Sequence, residues 1–202
     1  MLERLNQFAI DKKYFIYKDL EIVSDDTCEN NDIRYIDFDE TKNIVGEKAE
    51  QQPRKSCDGL YLNDMINFIE FKSFKKIKQY EKEDNTQENN FLKNLKVSLD
   101  GKIFDSLWVL DYIKGHKDFK ITTDEKLLYN QLSKNYYIVI DVPLDAKEEL
   151  TFAFNLLATG KTNIYNNLIS VSTEIVDNID NYQINKPKLI NCKDLNFILK
   201  DY

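Results

Sequence analysis

The sequence predicts one mixed domain, α+β or α/β in class, in which a mixed β-sheet is flanked by helices. Three observations predict it. Residues 57–62 and 65–72 are two short runs rich in aromatic and branched apolar residues, separated by Asn63 and Asp64, both common turn residues. Residues 136–142 are nearly continuous in apolar character, as a central strand buried on both faces would be. Between these segments, Leu92, Leu95, Leu99, Ile103, Leu107, Leu110 and Ile113 recur at spacings of three and four, which gives a helix one apolar stripe.

The remaining elements follow in chain order. Residues 14–23 alternate weakly and residues 33–38 clearly, so both read as strands joined by the acidic loop 24–32. Residues 41–52 read as a polar helix that stops before Pro53, because the residue preceding proline disfavours the α conformation. After the hairpin come a short helix at 74–82, a polar loop at 84–90 and the striped helix at 91–113, where Gly101 is placed to break it in two. A helix at 124–132 precedes the buried strand, which Pro143 closes. Helices at 146–158 and 164–179 with Gly160 between them, a strand at 188–192 and a last helical turn or two at 194–199 complete the order.

With 202 residues and 42% hydrophobic content, the chain can bury one substantial core, and its 31% charged content is ordinary for a folded soluble protein. The formal net charge of -7 argues against indiscriminate nucleic-acid binding, which draws its affinity from a basic surface. The densest local positive patch runs from residue 72 to residue 82. Cys28, Cys57 and Cys192 are few, odd in number and far apart, a pattern that supports neither a disulfide framework nor a zinc site and suits a reducing cytoplasm. The opening residues carry charges where a secretory signal needs an apolar run, and no stretch has the length of a membrane span, so a soluble cytoplasmic protein is expected.

The chemistry concentrates on the hairpin. Side chains alternate along a strand, so Glu70 and Lys72 point to one face while Phe71 points to the other. A turn at Asn63 and Asp64 brings Asp58 level with Glu70, and the parity sets it on the same face unless a bulge near Gly59 intervenes. Two carboxylates at one point suit a divalent cation such as Mg²⁺ (or Mn²⁺), which takes hard oxygen ligands and retains several waters. Asp58 and Glu70 would hold the metal, with the Phe71 backbone carbonyl as a further ligand, and Lys72 would orient the attacking water or offset charge developing on a phosphate. The plain alternative is a cross-strand salt bridge on a solvated sheet face.

An Asp opening one strand, a short hairpin, then Glu, any residue and Lys on the next strand resembles the PD-(D/E)XK nuclease superfamily, the restriction-endonuclease-like group, at Asp58, Glu70 and Lys72. Cys57 stands where the name-giving proline would be, and the Gln and Tyr pair of RecB-like members is missing after Lys72. The resemblance covers residues 41–142 as the core, leaving 1–40 as a β-rich N-terminal elaboration and 143–202 as a mainly helical C-terminal one. It implies a catalytic set of Asp58, Glu70 and Lys72, and a glutamate from the helix before the hairpin, Glu47 or Glu50 with Glu50 favoured, as an added metal ligand. It also implies metal-dependent hydrolysis of phosphodiester bonds in DNA, within a bacterial defence or mobile-element system. The open alternative is an inactive member of the fold that binds a protein partner, as an immunity or antitoxin-like protein does, for which the acidic total suits a basic toxin. His116, the one histidine, reads as a loop residue, Trp108 as core, and residues 156–163 as a segment that lacks the first glycine of a phosphate loop.

Overall fold

A computed structural model describes residues 1–29, 31–52, 55–73, 88–141, 184–185 and 187–200. In chain order the elements are α1 (Leu2–Asp11), β1 (Tyr17–Asp19), α2 (Leu20–Val23), β2 (Arg34–Asp37), α3 (Phe38–Lys48), β3 (Gly59–Leu62), β4 (Ile66–Lys72), α4 (Glu88–Lys114), α5 (Thr123–Gln131), β5 (Lys134–Ile140), β6 (Lys188–Asn191) and α6 (Cys192–Lys200). The strands form one six-stranded mixed sheet in sequence order, antiparallel from β1 to β4 and parallel from β4 to β6. A parallel pair cannot be closed by a tight turn, and α4 and α5 lie in the connection between β4 and β5.

Helices cover both faces of the sheet. On one face Ile36, Leu60, Ile66, Phe68, Tyr136 and Ile138 pack against α1, α3, α4 and α5. On the other, Tyr35, Ile69, Phe71, Tyr137, Val139 and Ile190 pack against α2 and α6. Strand β4 is therefore buried along its length until Lys72, and β5 is buried throughout. Glu70 shares its parity with Ile66 and Phe68, so its carboxylate enters the layer beneath α4.

The hairpin has the expected elements with a turn one residue longer. Leu62 pairs with Ile66, so Asn63, Asp64 and Met65 form the turn, and Asn63 Oδ1 accepts from the backbone of Met65 at 2.9 Å and from Asn67 Nδ2 at 3.0 Å. Gly101 does not break α4, which runs through it; among the described residues a Cβ there would meet only the Lys55 side chain, at 3.9 Å. Helix α3 begins earlier than the polar pattern suggested because Asp37 caps it, its Oδ1 accepting from Glu40 N at 2.8 Å.

The N-terminal segment is less β-rich than expected. Leu2, Leu5 and Ala9 bury one stripe of α1, and the weakly alternating run resolves into the three residues of β1 followed by the single turn of α2. A second correction concerns cysteine. Cys28 and Cys192, 164 residues apart in sequence, form a disulfide with a Cα–Cα distance of 5.6 Å, because the loop after α2 and the start of α6 meet on the same face of the sheet. Wide spacing hid a pair that the fold brings together, and unpaired cysteines no longer argue for a reducing compartment. Cys57 keeps a free, buried thiol. Among the described residues no helix is long and apolar enough to cross a membrane. The short helix expected at 74–82 with most of the basic patch, the helices at 146–158 and 164–179, and the segment 156–163 lie outside the described residues.

Candidate functional site

The site is built by the end of one hairpin strand, the loop leading into the other, and one turn of α4. Gly59 pairs with Ile69 in antiparallel register, and the Asp58 amide, one residue before β3, also donates to Ile69 O, at 3.0 Å, which holds Asp58 at the end of the hairpin near Glu70. Asp58 Oδ2 accepts from the Phe71 backbone N–H at 2.7 Å. That bond crosses the hairpin and fixes the carboxylate of Asp58 against the backbone of the residue between Glu70 and Lys72. Gly59 leaves little room here, since a Cβ would stand 3.0 Å from the Val23 side chain.

The two carboxylates converge on an ammonium that the sequence reading did not single out. Lys102 Nζ, from α4, donates to Glu70 Oε1 at 2.7 Å, to Glu70 Oε2 at 2.8 Å and to Asp58 Oδ1 at 3.2 Å. Lys72 Nζ also donates to Glu70 Oε1. Two carboxylates thus face two ammoniums. Glu70 has no solvent exposure, whereas the side chains of Asp58, Lys102 and Lys72 are 19%, 18% and 24% exposed, so the cluster opens to solvent on the side of these three.

Its electrostatics follow from burial and charge. Burial raises the Glu70 pKa and the charge of Asp58 adds to that, while Lys72 and Lys102 pull it down. Burial would lower the Lys102 pKa, but attraction to Glu70 and Asp58 outweighs it and holds the ammonium protonated. Both Glu70 oxygens accept from Lys102, which requires both as acceptors and fits an ionised carboxylate beside a charged lysine. Tyr136 stands one strand away on the same sheet face, fully buried, and its hydroxyl has no hydrogen-bond partner among the described residues. Burial, then the charges of Glu70, Cys57 and Asp58, drive its pKa well above the usual phenol value.

Helix α4 holds the loop before Asp58 as well as its carboxylate. The Cys57 amide donates to Ser106 Oγ at 3.0 Å and the Lys55 amide to Asp105 Oδ2 at 3.1 Å. Lys102, Asp105 and Ser106 lie within one turn, so a single helical patch addresses residues 55–58 and Glu70 together. The legible signal was a lysine placed inside an apolar stripe, three residues after Leu99 and one before Ile103. Cys57, at the proline position of the motif, is fully buried beneath this patch.

The expected upstream glutamates stand apart. Glu47 is exposed in the last turn of α3, and Glu50 is exposed beyond the C-cap Ala49 in a left-handed conformation, φ 52°. Among the described residues Glu50 makes no hydrogen bond or ion pair to Asp58, Glu70, Lys72 or Lys102, and no three His, Cys, Asp or Glu side chains group as a metal cage. The acid of α3 that reaches this region is Asp39, whose Oδ1 accepts from Ser56 Oγ at 3.0 Å, two residues before Asp58. His116 accepts from the Asp118 amide in a loop, and Trp108 is half-buried and tilted against Tyr112.

Divalent magnesium is commonly held by one or two protein carboxylates together with water and substrate oxygens. Asp58 and Glu70 fit that donor chemistry, and the Lys102 ammonium lies where their oxygens converge. Searches against protein-family models, curated proteins and solved structures return no match to this chain.

Proposed function

We propose that the chain is a metal-dependent nuclease that hydrolyses phosphodiester bonds in DNA, on a restriction-endonuclease-like sheet. One observation carries the reading: Glu70, near the end of β4, and Asp58, in the loop leading into β3, direct their oxygens at a single cation. The mixed sheet supports it, since the carboxylate-bearing hairpin is followed by a long helix and a parallel strand paired to β4. A bound Mg²⁺ or Mn²⁺ would acidify a coordinated water and neutralise charge on the scissile phosphate. Asp58 would be held in orientation by the Phe71 amide, and Glu70 by the packed layer under α4. Lys72, at the exposed end of β4, would place its ammonium beside the attacking water.

A second reading has its own observation. Lys102 and Lys72 balance the two carboxylates, so the cluster is already charge-compensated, as suits an inactive fold retained for binding a protein partner. Incubating the full chain with linear DNA, supercoiled DNA and RNA in Mg²⁺ or Mn²⁺, beside Asp58→Ala and Lys72→Ala, separates the two. The nuclease reading expects metal-dependent cleavage of DNA that both substitutions abolish. Intact substrates at high protein concentration would leave the binding role.

A further inference from the structure

We infer that the Lys102 ammonium and a divalent cation exclude one another at Asp58 and Glu70, so that Lys102 is the internal counter-cation of the site and must withdraw for a metal to enter. The inference deepens the nuclease reading and rests on its assignment of Asp58 and Glu70 as the metal-holding pair. Lys102 Nζ lies within 3.2 Å of Asp58 Oδ1 and closer to both oxygens of Glu70, so the oxygens a metal would take are the ones it holds. Two cations sharing those oxygens would repel strongly at that range. Glu70 has no solvent contact, and withdrawal of Lys102 leaves it with Lys72 as its one positive partner among the described residues, so a second cation at its oxygens is favoured.

Two further observations make the ammonium exchangeable and the site a ligand site. Lys102 is 18% exposed on a long flexible stem, so its charge can move to water without unwinding α4. Tyr136 supplies a fully buried hydroxyl with no partner among the described residues, beside these carboxylates on the same sheet face. A buried hydroxyl without a partner is costly unless a ligand or water oxygen satisfies it. The arrangement is that of a cation site closed by its own lysine.

The test is a Mn²⁺ titration of the 202-residue chain as wild type, Lys102→Met, Lys102→Gln and the double variant Lys102→Met with Glu70→Gln, by calorimetry and by thermal melting in chelator and in Mn²⁺. Losing the competitor should tighten Mn²⁺ binding by roughly tenfold or more, since each factor of ten needs only about 1.4 kcal/mol of competition. The single variants should melt below wild type in chelator and recover in Mn²⁺, because binding to the folded state alone raises its stability. The double variant should lose that recovery. Variants that fold only in Mn²⁺ support the inference equally. Mn²⁺ affinity no greater than in wild type, recovery that survives Glu70→Gln, or variants that fold in neither condition would overturn it. If the variants bind Mn²⁺ as expected but no form cleaves DNA, the nuclease reading fails alone; if wild type cleaves while the variants bind no tighter, the inference fails alone.

Discussion

Glu70 and Lys102 form the pair whose loss should be felt most. Glu70 is fully buried and accepts from Lys102 through both oxygens, so Lys102→Ala in the absence of divalent metal leaves it with Lys72 alone. The expected cost is about 3 kcal/mol, the scale of breaking a buried pair by removing one partner. Urea denaturation in chelator measures it, and adding Glu70→Gln to the same chain should return part of the loss. Cys57 gives a second prediction at this scale. Burial, foremost, pushes its thiol far above the usual cysteine range, so the reactive thiolate is suppressed and the sulfur is shielded. Alkylation of Cys57 by iodoacetamide should therefore be negligible in the native chain and complete in denaturant, as read by peptide mass spectrometry. Rapid native labelling would show that α4 does not cover the loop before Asp58.

Helix α4 ties the site together and is also where a local stabilisation is available. Gly101 sits in its interior, with no left-handed φ and, among the described residues, only Lys55 within reach of an added Cβ. Gly101→Ala should raise stability by about 0.5–1 kcal/mol, through the lower backbone entropy of alanine in the unfolded chain. A loss instead would mean that the helix needs glycine for a bend. The same helix shows what the sequence made readable and what it did not. Its apolar stripe predicted the element, because that follows from a fixed local period, whereas Asp58 lies just outside β3 and reaches Lys102 beside Glu70 from the loop before the strand. Lys102 stood out only as a lysine inside the stripe; that it meets Asp58 and Glu70 was not readable, since which residue of a helix meets which strand depends on how α4 lies across the sheet. Glu50 failed to join the pair for a related reason: α3 ends at Lys48, and the chain turns to solvent just after it.

At the scale of the molecule, the N-terminal and C-terminal parts are joined by covalent chemistry as well as by packing. The Cys28–Cys192 disulfide closes a span of 164 residues, and loop-closure entropy for such a span corresponds to about 5 kcal/mol. Replacing both cysteines by serine should lower the melting temperature without altering the far-ultraviolet circular dichroism of the folded state. Equal stability of the two forms would mean that the packing of α2 and α6 alone holds the termini. The pairing was beyond sequence reading because neither cysteine carries local information about the other. The mixed sheet, by contrast, was predicted as a class from a hairpin and one continuous apolar strand, though its N-terminal helix escaped notice beside the weak alternation that follows it.

The central claim, that Asp58 and Glu70 form the metal-dependent centre of a nuclease, is tested most directly by conversion of supercoiled DNA with the wild type and Glu70→Gln at matched concentrations. Wild type in Mg²⁺ or Mn²⁺ should nick or linearise the DNA, chelator should stop it, and Glu70→Gln should lower the rate by about a hundredfold or more, as loss of a charge that positions the reacting centre does. Cleavage that persists in chelator or in Glu70→Gln, or no cleavage by wild type in either metal, would contradict it.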